Sequence, residues 1–301
     1  MCRLFGLSAA PESVSAKFWL IEAPDSLLDQ SRRNPDGTGL GFFKPDGTPV
    51  LDKEPLPAYE DPAFRREAKK IDSRVFVSHI RFATTGPKTP ENCHPFALDG
   101  RIFAHNGILG GLDRLEDYLG EERALLKGQT DSERYFALIT KEIRKCDGDI
   151  KAGLNAAVRW VVDNLPVCSI NCLIATPMEL FAFRYPETDK LFVLERGKGG
   201  RHGGRPLDYS SCQLDIRSHH LVDHPCVVVA SEPLDDSPDW RLLRSGELIH
   251  IDPRQSVTSH IIIDGPPKYP LVPSRHSTGE PPPLPKRPEV AARPGQNARP
   301  H

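Results

Sequence analysis

Apolar residues in this chain recur mostly in short runs bounded by turn residues, with a two-residue beat. Val75, Val77 and His79 alternate with Phe76, Ser78 and Ile80, the pattern of a strand with two different faces. Similar runs predict strands over 3–8, 40–43, 75–80, 101–104, 171–175, 180–183, 191–194, 226–230 and 248–251. Lys44-Pro-Asp-Gly47 reads as a hairpin turn, because proline presets the second turn position and glycine accepts the left-handed one. The helical beat appears over 62–70, 132–145 and 151–165, where Leu154, Val158, Val161 and Leu165 recur at three- and four-residue spacing. Thr130 and Glu133 form a T-x-x-E capping box for the second helix. Strands lie on both sides of the helices without steady βαβ alternation, which predicts a layered α+β fold rather than a Rossmann sheet.

The chain has 301 residues with 38% hydrophobic content, enough for one large domain or two small ones to bury a core. Its net charge of −2 offers no general attraction to nucleic acid or an anionic membrane, so small molecules or proteins are the expected partners. No apolar run approaches the ~18–20 residues of a membrane span, and the opening MCRLFGLSAAPES lacks the regions of a secretory signal, which predicts a cytoplasmic protein. Seven cysteines without a CxxC pair suggest reduced thiols. From Gly265 onward the chain holds eleven of the 30 prolines and few packable side chains, so a body over 2–264 and a proline-rich, disordered or extended tail over 265–301 are expected.

Position 2 is a cysteine. Removal of Met1 by the methionine aminopeptidase, which tolerates a small second residue, would leave Cys2 with both a thiol and a free α-amine. Such an amine has a reference pKa of ~7.7–8 and suits the role of base toward its own thiol. Four further segments carry polar chemistry: Asn34-Pro-Asp-Gly-Thr-Gly39, Ser78-His-Ile-Arg-Phe-Ala-Thr84, His105-Asn-Gly107 and Gln129-Thr-Asp-Ser-Glu133, followed late by Ala230-Ser-Glu-Pro-Leu234. Each has a plain structural reading. Arg81 at a strand end could be half of a surface ion pair. Asn106-Gly107 after a strand reads as a hairpin turn. Asp131 would suit any helix N-terminus, and 34–39 could be a glycine-rich turn.

Taken in this order after Cys2, the segments resemble the class II glutamine amidotransferases of the N-terminal nucleophile hydrolase superfamily, across roughly residues 2 to 250. The MCRLFG opening and the late SEPLDD segment resemble the short, stand-alone members, a group that includes γ-glutamyl amidohydrolases. The resemblance implies a four-layer αββα sandwich of two largely antiparallel sheets. It implies Cys2 as nucleophile, Asn106 and Gly107 as the oxyanion hole, Arg81 on the substrate's α-carboxylate and Asp131 on its α-ammonium. An arginine near the nucleophile is also implied, with Arg32 and Arg33 both candidates. No metal or organic cofactor is called for.

Ammonia-channelling synthases of the family often carry Trp after the substrate arginine and His after Ala-Thr; this chain has Phe82 and Thr85, and no acceptor domain follows. Hydrolysis of glutamine or a γ-glutamyl compound through a thioester on Cys2 is therefore the expected reaction. The alternatives are a glutaminase subunit feeding ammonia to a partner enzyme, and a non-catalytic γ-glutamyl or amino acid binding module. Cys212, His219, His220, His224 and Cys226 lie in one window, but their spacing fits no standard zinc pattern, and packed or solvated side chains are the favoured reading. Cys93-His94-Pro95-Phe96, between the arginine and oxyanion segments, reads as structural.

Overall fold

The computed structural model describes residues 2–83, 86–197, 207–211, 214–218 and 224–272. Two sheets face one another. The first has seven strands in the order Arg241–Leu242, Phe192–Arg196, Cys226–Ala230, Arg3–Ser8, Val75–Ile80, Thr38–Phe43 and Pro49–Glu54. The second has six, Val257–Ile261, Glu247–Ile251, Leu180–Arg184, Val167–Ala175, Arg101–Leu109 and Phe96–Leu98. Every pairing within both is antiparallel.

The two-residue beat sorts side chains into layers. Leu4, Val75, Val77, Ile102 and Ala104 meet Leu173, Leu180 and Val229 between the sheets. Phe5, Leu7, Phe42 and Phe76 turn the other way, to Phe18 and Trp19 of the helical turn Phe18–Glu22 and Phe64 of helix Pro62–Lys70. On the far side, Phe103 stacks on Phe136 of helix Asp131–Lys145 at 4.6 Å between ring centroids, and helix Ile150–Asn164 adds Leu154, Val158 and Val161 to that cluster. The result is the four-layer αββα sandwich that the resemblance implied.

Several local expectations hold to the residue. The turn at 44–47 closes with Gly47 N–H donating to Lys44 O at 2.9 Å, and Gly47 takes φ +85°. Thr130 Oγ1 accepts the Glu133 N–H at 3.2 Å. The Glu133 carboxylate, however, does not reach back to Thr130; it accepts the N–H groups of Lys127 at 2.8 Å and Gly128 at 2.7 Å, holding the loop before the helix.

Two expectations need correction. The strand expected over 101–104 continues to Leu109, so Asn106-Gly107 lies inside a strand and not in a hairpin turn. The reason is a close neighbour: a Cβ at position 107 would sit 1.8 Å from Ser169 O, so glycine here serves the approach of the adjacent strand. Also, the first residues assigned to the tail are not all free of the body, with Val167 N–H donating to Tyr269 O at 2.8 Å and Leu271 N–H to Val167 O at 2.9 Å; the tail from 273 on lies outside the described residues.

Strands Pro49–Glu54 and Val257–Ile261 escaped the sequence reading. Both are sheet edges with half-exposed or exposed side chains, so neither shows a clear apolar alternation. No helix among the described residues is long and apolar enough to cross a membrane.

Candidate active site

The alternation that builds the core also aims the polar groups. Cys2 precedes Arg3–Ser8 and shares the parity of Leu4, facing the second sheet. Arg81 follows Val75–Ile80 with the parity of Val75 and Val77, and Asn106 shares the parity of Ile102 and Ala104. Arg3 pairs with Ile80, so Cys2 and Arg81 are cross-strand neighbours at one end of the sandwich.

The half-buried Cys2 thiol contacts a single residue twice: Sγ accepts the Phe82 N–H at 3.2 Å and lies 3.4 Å from Phe82 O as donor. Burial pushes the thiol pKa up. The Phe82 N–H, the positive chain terminus and Arg81 pull against that, and the Asp131 carboxylate adds to it. A thiol whose pKa is pushed up needs a base to become a nucleophile.

Arg81 is 4% exposed, so it is not the surface ion pair that its strand-end position allowed. Its guanidinium donates to Pro87 O at 3.2 Å and Gly86 O at 3.4 Å, and its charge lowers the burial-raised pKa of the neighbouring Cys93 thiol. The Asn34–Gly39 stretch packs against this segment: Arg81 N–H donates to Gly37 O at 2.8 Å, and the Asp36 carboxylate accepts the Ala83 N–H at 2.9 Å and pairs with Lys88. A Cβ on Gly39 would meet His94 O at 1.9 Å, so the strand leaving this stretch also needs glycine. Thr84 and Thr85 lie outside the described residues.

Asp131 is the first residue of its helix, and its Oδ2 accepts the Leu109 N–H at 2.9 Å. The helix end is thereby tied to the strand that carries Asn106 and Gly107. Asn106 is 5% exposed, and its backbone carbonyl accepts the Ser169 hydroxyl at 3.2 Å. Strand Phe96–Leu98 pairs only up to Phe103, so it does not cover that edge of the chain at Asn106.

Of the two arginine candidates, Arg33 is linked to the residue beside Cys2. It meets Asp25 at 2.9 Å and Glu232 at 3.7 Å, and Glu232 also binds Arg3 at 2.6 Å. Arg32 instead covers the Tyr59 ring at 4.9 Å. The late Ser-Glu-Pro-Leu segment secures the same strand, since the Leu4 N–H donates to Ser231 Oγ at 2.9 Å.

Below the polar groups lies a set of buried histidines that the sequence did not single out as a unit. The His79 and His94 rings lie 4.2 Å apart between centroids and are tilted by 38°, and His105 Nδ1 lies 2.9 Å from Ser132 Oγ. Burial, then the charges of His105 and Arg81, lowers the His79 pKa to about 3, and burial holds His94 well below its usual value. These rings are neutral packing at neutral pH. Asn92 and the backbone groups of Phe82 and Leu109 were also missed. Backbone groups leave no mark in a sequence, and Asn92 lies outside every segment that the sequence reading singled out. In the histidine-cysteine window, Cys226 is buried in its strand, while Cys212, His219 and His220 lie outside the described residues.

The chain is 31% identical to an uncharacterized protein of Methanocaldococcus jannaschii over 83% of this chain and 68% of that one. It is 29% identical to the γ-glutamyl-hercynylcysteine sulfoxide hydrolase of Mycolicibacterium smegmatis, over 78% of this chain and all of the hydrolase. The fold is similar to a glutamine aminotransferase class-II domain protein from Silicibacter pomeroyi, with a TM-score of 0.58 at 20% identity, covering 87% of this chain and 100% of that one. The description of the class II glutamine amidotransferases matches residues 1–261, and the chain belongs to that family of enzymes.

Proposed function

We propose that this protein is an amidohydrolase that cleaves the γ-amide of glutamine or of a γ-glutamyl compound, with Cys2 as nucleophile in the chain that has lost Met1. One observation carries the reading: the Cys2 thiol lies against Phe82, the neighbour of buried Arg81, within the electrostatic reach of both Arg81 and Asp131. A cation and an anion flanking a thiol match the α-carboxylate and α-ammonium of a glutamyl head group.

In this scheme the α-amine of Cys2 takes the thiol proton, directly or through one water. Sulfur attacks the γ-carbonyl carbon, and the Asn106 side-chain amide with the Gly107 N–H holds the negative charge that develops on its oxygen. The tetrahedral species collapses, the amine leaves with the proton, and a γ-glutamyl thioester remains on Cys2. Water, deprotonated by the same α-amine, then releases glutamate. The upward push of burial on the thiol pKa favours this division of labour, because such a sulfur gains from a base beside it. Hydrolysis, rather than delivery of ammonia, is favoured by the full-length similarity to a γ-glutamyl hydrolase and by Phe82 in place of the tryptophan of channelling synthases.

The test incubates the protein with glutamine, glutathione and further γ-glutamyl compounds and measures glutamate release, beside intact-mass analysis of the chain as produced. Release that is lost in Cys2→Ala, from a chain lacking Met1, is the expected result. Undiminished release by Cys2→Ala, or an active chain that still carries Met1, rejects the scheme.

A further inference from the structure

Asn92 is 2% exposed and ends the short turn Pro90–Asn92, on the segment between Arg81 and the oxyanion strand. Its side-chain amide is used at both ends. Nδ2 donates to Pro87 O at 3.1 Å, and Oδ1 accepts the Gln129 N–H at 2.8 Å. Pro87 O is the carbonyl that receives the Arg81 guanidinium at 3.2 Å. Gln129 lies two residues before Asp131, next to the cap residue Thr130. The neighbours leave no slack around this amide: a Cβ on Gly128 would stand 2.6 Å from Asn92 Oδ1, and one on Gly86 would stand 3.2 Å from Nδ2.

We infer that Asn92 is a positioning residue that sets the distance between Arg81 and Asp131, and so makes the enzyme select substrates bearing both an α-carboxylate and an α-ammonium. The inference rests on the proposed reading of Arg81 and Asp131 as the head-group contacts. Its physical basis is the bifunctional amide. One side chain must donate to a carbonyl on the arginine's loop and accept from an N–H on the aspartate's loop, which among short side chains only asparagine does in this geometry. Aspartate keeps the acceptor and loses the donor; alanine loses both. Each loop also has its own anchors, with Glu133 holding Lys127 and Gly128, so loss of Asn92 should loosen the spacing without unfolding the domain.

The experiment compares wild-type, Asn92→Ala and Asn92→Asp full-length proteins in two measurements. The first is the steady-state hydrolysis of glutamine and of glutaramate, which lacks the α-ammonium, together with the rate of Cys2 alkylation by iodoacetamide. Asn92→Ala should raise KM for glutamine by about tenfold, with kcat within about twofold, while kcat/KM for glutaramate and the alkylation rate stay within about twofold. The second is amide hydrogen exchange, which needs no substrate. Exchange in 86–92 and 127–131 should quicken together in Asn92→Ala, and in Asn92→Asp the quickening should be confined to 86–92.

Equal losses on both amides, a fall in kcat at constant KM, or exchange unchanged in both segments would overturn the inference. If exchange responds as expected but the wild-type protein releases no glutamate from any γ-glutamyl compound, the spacing role stands and the head-group reading falls. Should Asn92→Ala fail to fold, the Asn92→Asp pattern decides alone.

Discussion

Asp131 Oδ2 accepts the backbone N–H of Leu109 at 2.9 Å, so the residue proposed to meet a substrate's ammonium also fastens a helix to the strand of Asn106 and Gly107. Stabilising a helix N-terminus and reading a ligand are not competing roles here. A carboxylate has two oxygens, with capacity for both.

That double duty can be separated by mutation. Asp131→Asn keeps an acceptor for Leu109 and removes the charge, so unfolding stability should change by less than about 1 kcal/mol while KM for glutamine rises tenfold or more. Asp131→Ala should lose about 1–3 kcal/mol as well, because the buried Leu109 N–H is left unpaired. Urea denaturation and steady-state kinetics on both variants make the comparison; equal stability loss in the two would refute the assignment.

Gly107→Ala should be costly to the fold. The new Cβ would stand 1.8 Å from Ser169 O, a backbone atom of the paired strand that cannot step aside without moving the sheet. A loss of a few kcal/mol is expected, with turnover reduced in whatever protein remains folded. A thermal melt within two degrees of wild type would contradict the close packing of these strands.

Arg81→Lys should not behave as a conservative change. The guanidinium reaches Pro87 O and Gly86 O at once, and a single ammonium cannot reproduce that fork and still face a carboxylate. An increase in KM of about tenfold or more, larger than any change in kcat, is expected. Kinetics indistinguishable from wild type would remove Arg81 from the site.

Acid should unfold the protein through its histidines. His79 has its pKa lowered to about 3, so it stays neutral in the fold, while in the unfolded chain it takes a proton at its ordinary 6.5. The unfolded state therefore binds more protons between these values, and stability that is whole above about pH 6.5 is lost as pH falls toward 3. The slope should be on the order of 1 kcal/mol per pH unit for each such ring, with His94 acting in the same direction. Denaturant midpoints at pH 7, 6, 5 and 4 read this directly, and a smaller slope in His79→Gln assigns it. No dependence on pH in that window would mean the rings are not buried as described.

The strands Arg3–Ser8, Val75–Ile80 and Cys226–Ala230 and the helix Pro62–Lys70 were legible in the chain to the residue, because each is a short run bounded by turn residues or carries a helical beat. Cys2, Arg81, Asn106 and Asp131 stood out in the chain through their order along it, whereas the face each takes came only with the strand register and with the continuation of strand Arg101–Leu109 past Ala104. What remained hidden was distance. Whether Asn106-Gly107 turned or ran straight depended on Ser169, 62 residues beyond Gly107, which no local propensity encodes. Asn92 belongs to no motif in the sequence; its link between Pro87 and Gln129 exists only where the two loops meet on its amide. Local periodicity can be read from one segment at a time, whereas contacts between segments exist only once burial of the shared core has brought them together, and it is those contacts that gather the separate motifs around the proposed site.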